Sequence, residues 1–318
     1  MNNYAPPCAL PDEKIHPFHY VPIFMSHGTS VLILLLLALF HVSSAAADTV
    51  TDDRGRNIHL RHSAQRIVSI YPSVTELVFA AGAGSRLVGV DNYSDYPPAA
   101  KSIAGVGDSF GLDLEKIVAL KPDLVIAWRS GNVVAEVEKL EKLGLTVFVI
   151  EASRLRDVPR ILRVIGKLAG TSTQAELAAV AFEVEWQSIK QGYADRQQIS
   201  VFQLIWHQPL MTVNGNHMIS DVIALCGGVN VFASLPSLTP VISTESLLAA
   251  DPQAIIISVS LVSAAAEMRQ WWQQFPHIRA VKNKRLFFVN PDLLHRQTPR
   301  VLQAAKAVCE QMDAARTL

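Results

Sequence analysis

The chain carries one pattern twice, in opposite halves. Leu114–Ala127 (LEKIVALKPDLVIA) aligns without a gap with Thr244–Ile257 (TESLLAADPQAIII). Each copy opens on a glutamate, Glu115 or Glu245, at the start of a short amphipathic helix. Each then turns at a proline, Pro122 or Pro252, and runs on as an apolar strand. A second pair precedes them in the same order. Thr75–Gly82 resembles Ser220–Gly227, an acid-led helical turn ending on the glycine that a positive-φ C-cap favours. Short helix-to-strand units can resemble one another by chance, but two matched blocks in one order argue an internal duplication. The chain is therefore expected to fold as two like-built lobes, each presenting one carboxylate at an equivalent place. Two lobes enclose a cleft, and a cleft implies a ligand.

With 318 residues, half of them hydrophobic, the chain holds enough material for two domains of about 100–150 residues. Its 28 basic and 28 acidic residues cancel, which gives none of the clustered basic excess of a nucleic-acid footprint. Residues 1–47 read as an N-terminal extension followed by a signal peptide. Val31–Phe40 is an unbroken apolar run, about half the roughly 20 residues that span a bilayer as a helix. The small residues Ser43–Ala47 follow, which places signal-peptidase cleavage near Ala47 and the mature chain in the periplasm. An uncleaved anchor is the alternative, and Met25 is a second candidate start. Export leaves Cys226 and Cys309 as an even pair in an oxidising compartment, a candidate disulfide between the second lobe and the closing helix. Two buried free thiols are the alternative. His59 and His62 form an H-x-x-H, a weak metal signal read as an exposed loop.

Strand and helix patterns alternate over residues 48–152, the first α/β lobe. Ser73 with Glu76 reads as a capping box opening one of its helices. Residues 153–198 are helical with a break at Gly170–Ser172. Thr173 with Glu176 reads as a second capping box, opening a long helix that ends near Tyr193. That helix would serve as a stiff spine with little hinge motion. Residues 199–318 form the second lobe, closed by a helix from Pro299. Trp271 and Trp272 fall in a helical run and at least one of them reads as packing, as does Trp186 on the long helix. H-E-x-x-H, a P-loop and a complete G-x-G-x-x-G are missing from the sequence, so a binding protein is expected rather than an enzyme, with no catalytic cofactor or metal.

Asn92–Pro98 (NYSDYPP), the repeat at Leu114–Ala127 and the Trp128–Asn132 segment (WRSGN) resemble the cobalamin (vitamin B12) binding members of the helical-backbone, class III substrate-binding proteins of ABC importers. The resemblance extends over about Arg66–Met312. It implies two Rossmann-like α/β lobes joined by a long backbone helix, with cobalamin or a related corrinoid held between them. It further implies that Tyr93 and Trp128 line one wall, with Phe110 standing where a tryptophan can occur. The opposite contact loop would be Asp292, Leu293, Leu294, His295 and Arg296, followed by Arg300. The family can carry aromatics where this chain has Leu293 and Leu294, and an acid at His295. Trp206 is the candidate to supply aromatic area instead. A large flat macrocycle suits aromatic side chains, which give wide rigid area with a polar tip.

The same resemblance implies that Glu115 and Glu245 dock the two lobes on a dimeric permease of the inner membrane. Without it, the two acids read as ordinary N-terminal residues favoured by the helix dipole. His207 and His295 are candidates to coordinate cobalt, or iron if the ligand is haem. A haem or ferric-siderophore receptor of the same fold is the rival reading, and a siderophore would favour a basic cleft built from Arg129, Arg296 and Arg300.

Overall fold

The computed structural model describes Met1, residues 49–260 and residues 262–316; the expected targeting run and its cleavage near Ala47 lie outside these. Two four-stranded sheets dominate. The first contains β1 (Ile67–Ser69), β2 (Leu87–Val90), β3 (Leu124–Trp128) and β4 (Val147–Ile150), in the order β2-β1-β3-β4 and all parallel. The second contains β5 (Ile199–Leu204), β6 (Gly228–Asn230), β7 (Ala254–Ser258) and β8 (Leu286–Val289), in the order β6-β5-β7-β8 and again all parallel. Every residue of β3 is buried, as a parallel strand covered by helices on both faces requires. The two lobes thus share strand order as well as sequence pattern.

The repeat is also visible residue by residue. Its helices are Leu114–Ala119 and Thr244–Ala250. Asp113 caps the first by accepting the Lys116 N–H (2.9 Å), and Ser243 caps the second by accepting the Ser246 N–H (3.1 Å). Ile117 and Leu247 are the fully buried anchors at equivalent positions. Lys121 and Asp251, each just before the shared proline, both adopt left-handed φ, at 47° and 36°. An arginine from outside each repeat then closes the helix end. Arg66 donates to the Leu120 carbonyl at 2.7 Å and Arg279 to the Asp251 carbonyl at 2.6 Å, a cation placed where the helix dipole is negative. Gly82 and Gly227 likewise share positive φ, 78° and 72°.

The linker is a pair of helices, Asp157–Ala169 and Ser172–Tyr193, turned at Gly170 with φ 64°. The second has 22 residues, a rod of about 33 Å. Neither expected capping box forms. Thr171, not Thr173, is the N-cap of the long helix, and its hydroxyl donates to the Ala81 carbonyl of the first lobe (2.7 Å). Glu176 instead takes the Arg163 guanidinium, which also grips Glu183 (2.8 and 2.6 Å). The first-lobe helix starts at Pro72 with Tyr71 as N-cap, and Ser73–Val78 are all buried. The glutamates of both expected capping boxes are taken by arginines from elsewhere in the fold, Glu76 by Arg296 and Arg300 and Glu176 by Arg163, so neither is left for a local cap.

One continuous apolar core runs from Ile67 and Leu77 in the first lobe, through Leu162 and Phe182 of the linker, to Val222, Leu302 and Met312 in the second. A shared core of this kind resists hinge opening, because parting the lobes would expose apolar area to water. Trp272 is fully buried with Trp271 packed edge-on at 5.0 Å, and Trp186 packs on Phe182. His59 sits in an exposed hairpin strand, bonded to the Thr49 hydroxyl (2.8 Å), where a loop had been expected.

Cys226 and Cys309 form a disulfide that joins the end of helix Met218–Leu225 to the closing helix Val301–Arg316. It closes a sequence separation of 83 residues, worth about 4.5 kcal/mol in the chain-entropy account, with measured cases commonly about 2–4. Replacing both cysteines by serine is expected to lower unfolding free energy by about 2–4 kcal/mol with unchanged far-ultraviolet dichroism; urea unfolding of the two chains checks this.

Candidate functional site

In parallel α/β sheets the segments that follow the carboxyl ends of the strands form the ligand crevice. Here Tyr71 follows β1, Asp91 and Tyr93 follow β2, and Asp292, His295 and Arg296 follow β8. These residues line a cavity of about 240 Å³ drawn from both lobes. A larger cavity of about 670 Å³ lies away from the strand ends, between the linker, the long helix and helix Met218–Leu225, where Arg154 pairs with Asp221 (2.6 Å).

The two lobes are tied together beside the cleft by charge. Glu76 of the first lobe, 2% exposed, accepts Arg300 in a two-point contact (2.9 and 2.6 Å) and Arg296 at 2.9 Å. Arg296 also binds Asp95 at 2.6 Å and Asp292 at 3.0 Å. Arg300 stacks over the Tyr96 ring, 3.8 Å from its centroid. Buried guanidinium–carboxylate pairs with several hydrogen bonds are the geometry in which burying charge is tolerated. Both arginines are therefore satisfied within the protein. Arg129 points elsewhere and donates to the Asp53 carbonyl at 3.0 Å.

Three aromatic side chains of the expected site stand out into solvent: Tyr93 (60%), Phe110 (92%) and Trp206 (57%). Phe110 sits at the tip of a small hairpin, Gly107–Asp108 with Gly111–Leu112, whose Ser109 lines the cleft cavity. Trp206 sits on the corresponding hairpin of the second lobe, Trp206–His207 with Leu210–Met211. Trp128 differs from its expected place. It is 2% exposed, stacked on Tyr71 (5.8 Å) and bonded through Nε1 to the Ser130 hydroxyl. As the last residue of a wholly buried strand it has no surface to offer a ligand, and it supports Tyr71, which does reach the cavity. Leu294 is buried for the same kind of reason, packed into the core, with Leu293 partly buried against it.

Two histidines are held neutral by burial. Burial pulls His295 down to about 4, and its Nε2 pairs with the Ser258 hydroxyl at 2.7 Å. Burial, with the charge of His295 added, pulls His217 down to about 4 as well; its Nδ1 caps a helix by accepting the Ile219 N–H. His207 lies edge-on to Trp271 at 5.8 Å. Among the described residues there is no cluster of three or more metal-ligating side chains. Burial pushes the Asp91 carboxyl up to about 6, against the Tyr93 N–H bond that favours its charged form.

Glu76, Asp91, Tyr71, His217 and Ser258 were missed by sequence reading. Glu76 did leave a signal. It is an acid inside the apolar run Val74–Ala80, and a helix buried on all sides can hold a carboxylate only with a cationic partner.

Residues 67–293 match the periplasmic binding protein family. The chain belongs to the periplasmic binding protein family. Within that family it is similar to the vitamin B12-binding protein of Vibrio cholerae, 35% identical over 252 residues, covering 79% of this chain and 90% of that one. It is also similar to the vitamin B12-binding protein of Yersinia pestis, 34% identical over 250 residues and covering 79% and 87%. Among solved structures, the periplasmic vitamin B12 binding protein of Vibrio cholerae superposes with a TM-score of 0.74 at 36% identity, covering 80% and 99%. A periplasmic heme binding protein from Pseudomonas aeruginosa gives 0.67 at 27% identity, covering 77% and 92%. The architecture of this periplasmic binding protein is accordingly two Rossmann-like lobes joined by a long backbone helix.

Two outcomes are expected. Glu76→Ala leaves two partly buried guanidinium groups without their shared carboxylate, Arg296 keeping Asp95 and Asp292, and should cost about 3 kcal/mol of unfolding free energy, the low end for a broken buried pair, read by urea denaturation. For the histidines, the unfolded side chains titrate near 6.5 and the folded ones at about 4, so the folded state binds fewer protons across that window. Their stabilising contribution is complete above pH 6.5 and is lost as pH falls toward 4. Urea midpoints at pH 7.5 and 4.5 should therefore drop further in the native chain than in the His217→Asn, His295→Gln variant.

Proposed function

We propose that this periplasmic binding protein captures cobalamin (vitamin B12) or a related corrinoid between its lobes and delivers it to an ABC importer of the inner membrane. The ligand would lie against Tyr93 and Phe110 on one side and Trp206 on the other. Asp292, Leu293, His295 and Arg296 would form the edge of the second-lobe wall, with Leu294 acting from behind it and Trp128 acting from behind Tyr71 on the first-lobe side. Domain limits of 48–152, 153–198 and 199–318, with cleavage near Ala47, belong to the same reading. Glu115 and Glu245 would dock the lobes on the two halves of a dimeric permease. Binding and release leave the ligand unchanged, so the chain works as a carrier and not as an enzyme.

The observation that carries this reading is the pairing of exposed aromatics with saturated arginines. Tyr93, Phe110 and Trp206 offer broad unpolarised area at the strand ends, while Arg296 and Arg300 are already neutralised by Glu76, Asp95 and Asp292. A corrin rimmed by uncharged amides matches such a wall. The carboxylates of haem and the anionic groups of ferric siderophores ask for free cations, which these two arginines do not supply.

Isothermal titration with cyanocobalamin, cobinamide and haemin tests the choice. Tight one-to-one cyanocobalamin binding is expected, weakened about tenfold by Tyr93→Ala, a loss of about 1.4 kcal/mol. Heat with haemin and none with either corrinoid would move the chain to the haem reading.

A further inference from the structure

Glu115 and Glu245 do not stand alone on their helices. Burial along the two copies is the same at each position from Leu114 to Leu120 and from Thr244 to Ala250. Within that shared pattern, the residue three positions after each glutamate is apolar and uncovered: Val118 (41% exposed) and Leu248 (44%). Residues three apart share a helix face, so each lobe shows an acid beside an apolar knob. Neither glutamate has a salt-bridge partner among the described residues, whereas Glu76 and Asp95 in the cleft are both paired. The copies differ between these positions, with Lys116 in one and Ser246 in the other. On the exposed face the acid, the knob and the small alanine that follows it (Ala119, Ala249) are what they have in common. Each helix is also held stiff at both ends, by its N-cap side chain and by Arg66 or Arg279 on its last carbonyls.

We infer that each lobe makes a two-part contact, Glu115 with Val118 and Glu245 with Leu248. The partner it fits is a two-fold membrane permease that offers, on each half, a cationic side chain next to an apolar hollow. This rests on the docking role proposed above for the two glutamates. The parts do different work. Exposed charge sets register and encounter rate and is screened by salt. The apolar knob holds the formed complex by excluding water, which salt does not weaken.

The test uses spheroplasts of the source cell stripped of their periplasmic contents and supplied with the purified chain, measuring uptake of radiolabelled cyanocobalamin at low and at high salt. Val118→Ser with Leu248→Ser should lower uptake at limiting chain about tenfold, equally at both salt concentrations, with cyanocobalamin affinity unchanged by titration. Glu115→Gln with Glu245→Gln should lower it chiefly at low salt. Leu177→Ser with Val184→Ser, the same apolar loss on the exposed side of the long helix, should leave uptake as it was. Normal uptake by the Val118, Leu248 variant while the glutamine variant fails would overturn the knob and leave the docking role standing. Normal uptake by both would overturn both. Equal loss in the long-helix variant, or a weakened cyanocobalamin titration, would also overturn the knob.

Discussion

A single buried carboxylate holds this molecule in its working shape. Glu76 lies in a helix covered on every side, and two guanidinium groups from the opposite lobe close on it. Burying that charge is tolerable only because Arg296 and Arg300 meet it, and the arginines are tolerable only because Asp95, Asp292 and the Tyr96 ring share their charge. The network stands beside the cleft and fixes how the two sheet ends face each other. Together with the apolar core that runs through the linker, it favours a cleft already formed over one that closes on its ligand.

The same network decides what the cleft offers. Its two arginines are consumed internally, so the broad area left for a ligand is that of the exposed aromatics Tyr93, Phe110 and Trp206, beside a polar cavity in which burial lowers the pKa of His295 and raises that of Asp91. Outside, the arrangement is reversed. Glu115 and Glu245 have no ion-pair partner among the described residues. Charge is neutralised where a flat, uncharged macrocycle is proposed to sit, and left free where a partner is proposed to dock.

The duplication explains why both faces exist at all. Two sheets with one strand order place two sets of strand ends around the cleft and two equivalent helices on the outside. Each lobe extends a small hairpin with one exposed aromatic, Phe110 or Trp206. Those residues come from segments with no sequence likeness, so the equivalence of the hairpins belongs to the fold and not to the repeat.

The sequence by itself determined the lobes, the sheet-forming strands, the long helix and the Cys226–Cys309 pair. These follow from local periodicity, from turn residues such as Pro122 and Pro252, and from counting thiols, all of which are short-range or compositional. Trp128 and Glu76 were misplaced by it, for one reason. An aromatic at a strand end reads the same whether it faces a ligand or a core, and an acid three residues after a serine reads as a cap whether or not the helix is exposed. Only the tertiary structure decided between those meanings, because burial and the approach of Arg296 and Arg300 from a distant part of the chain are set by how the two lobes pack.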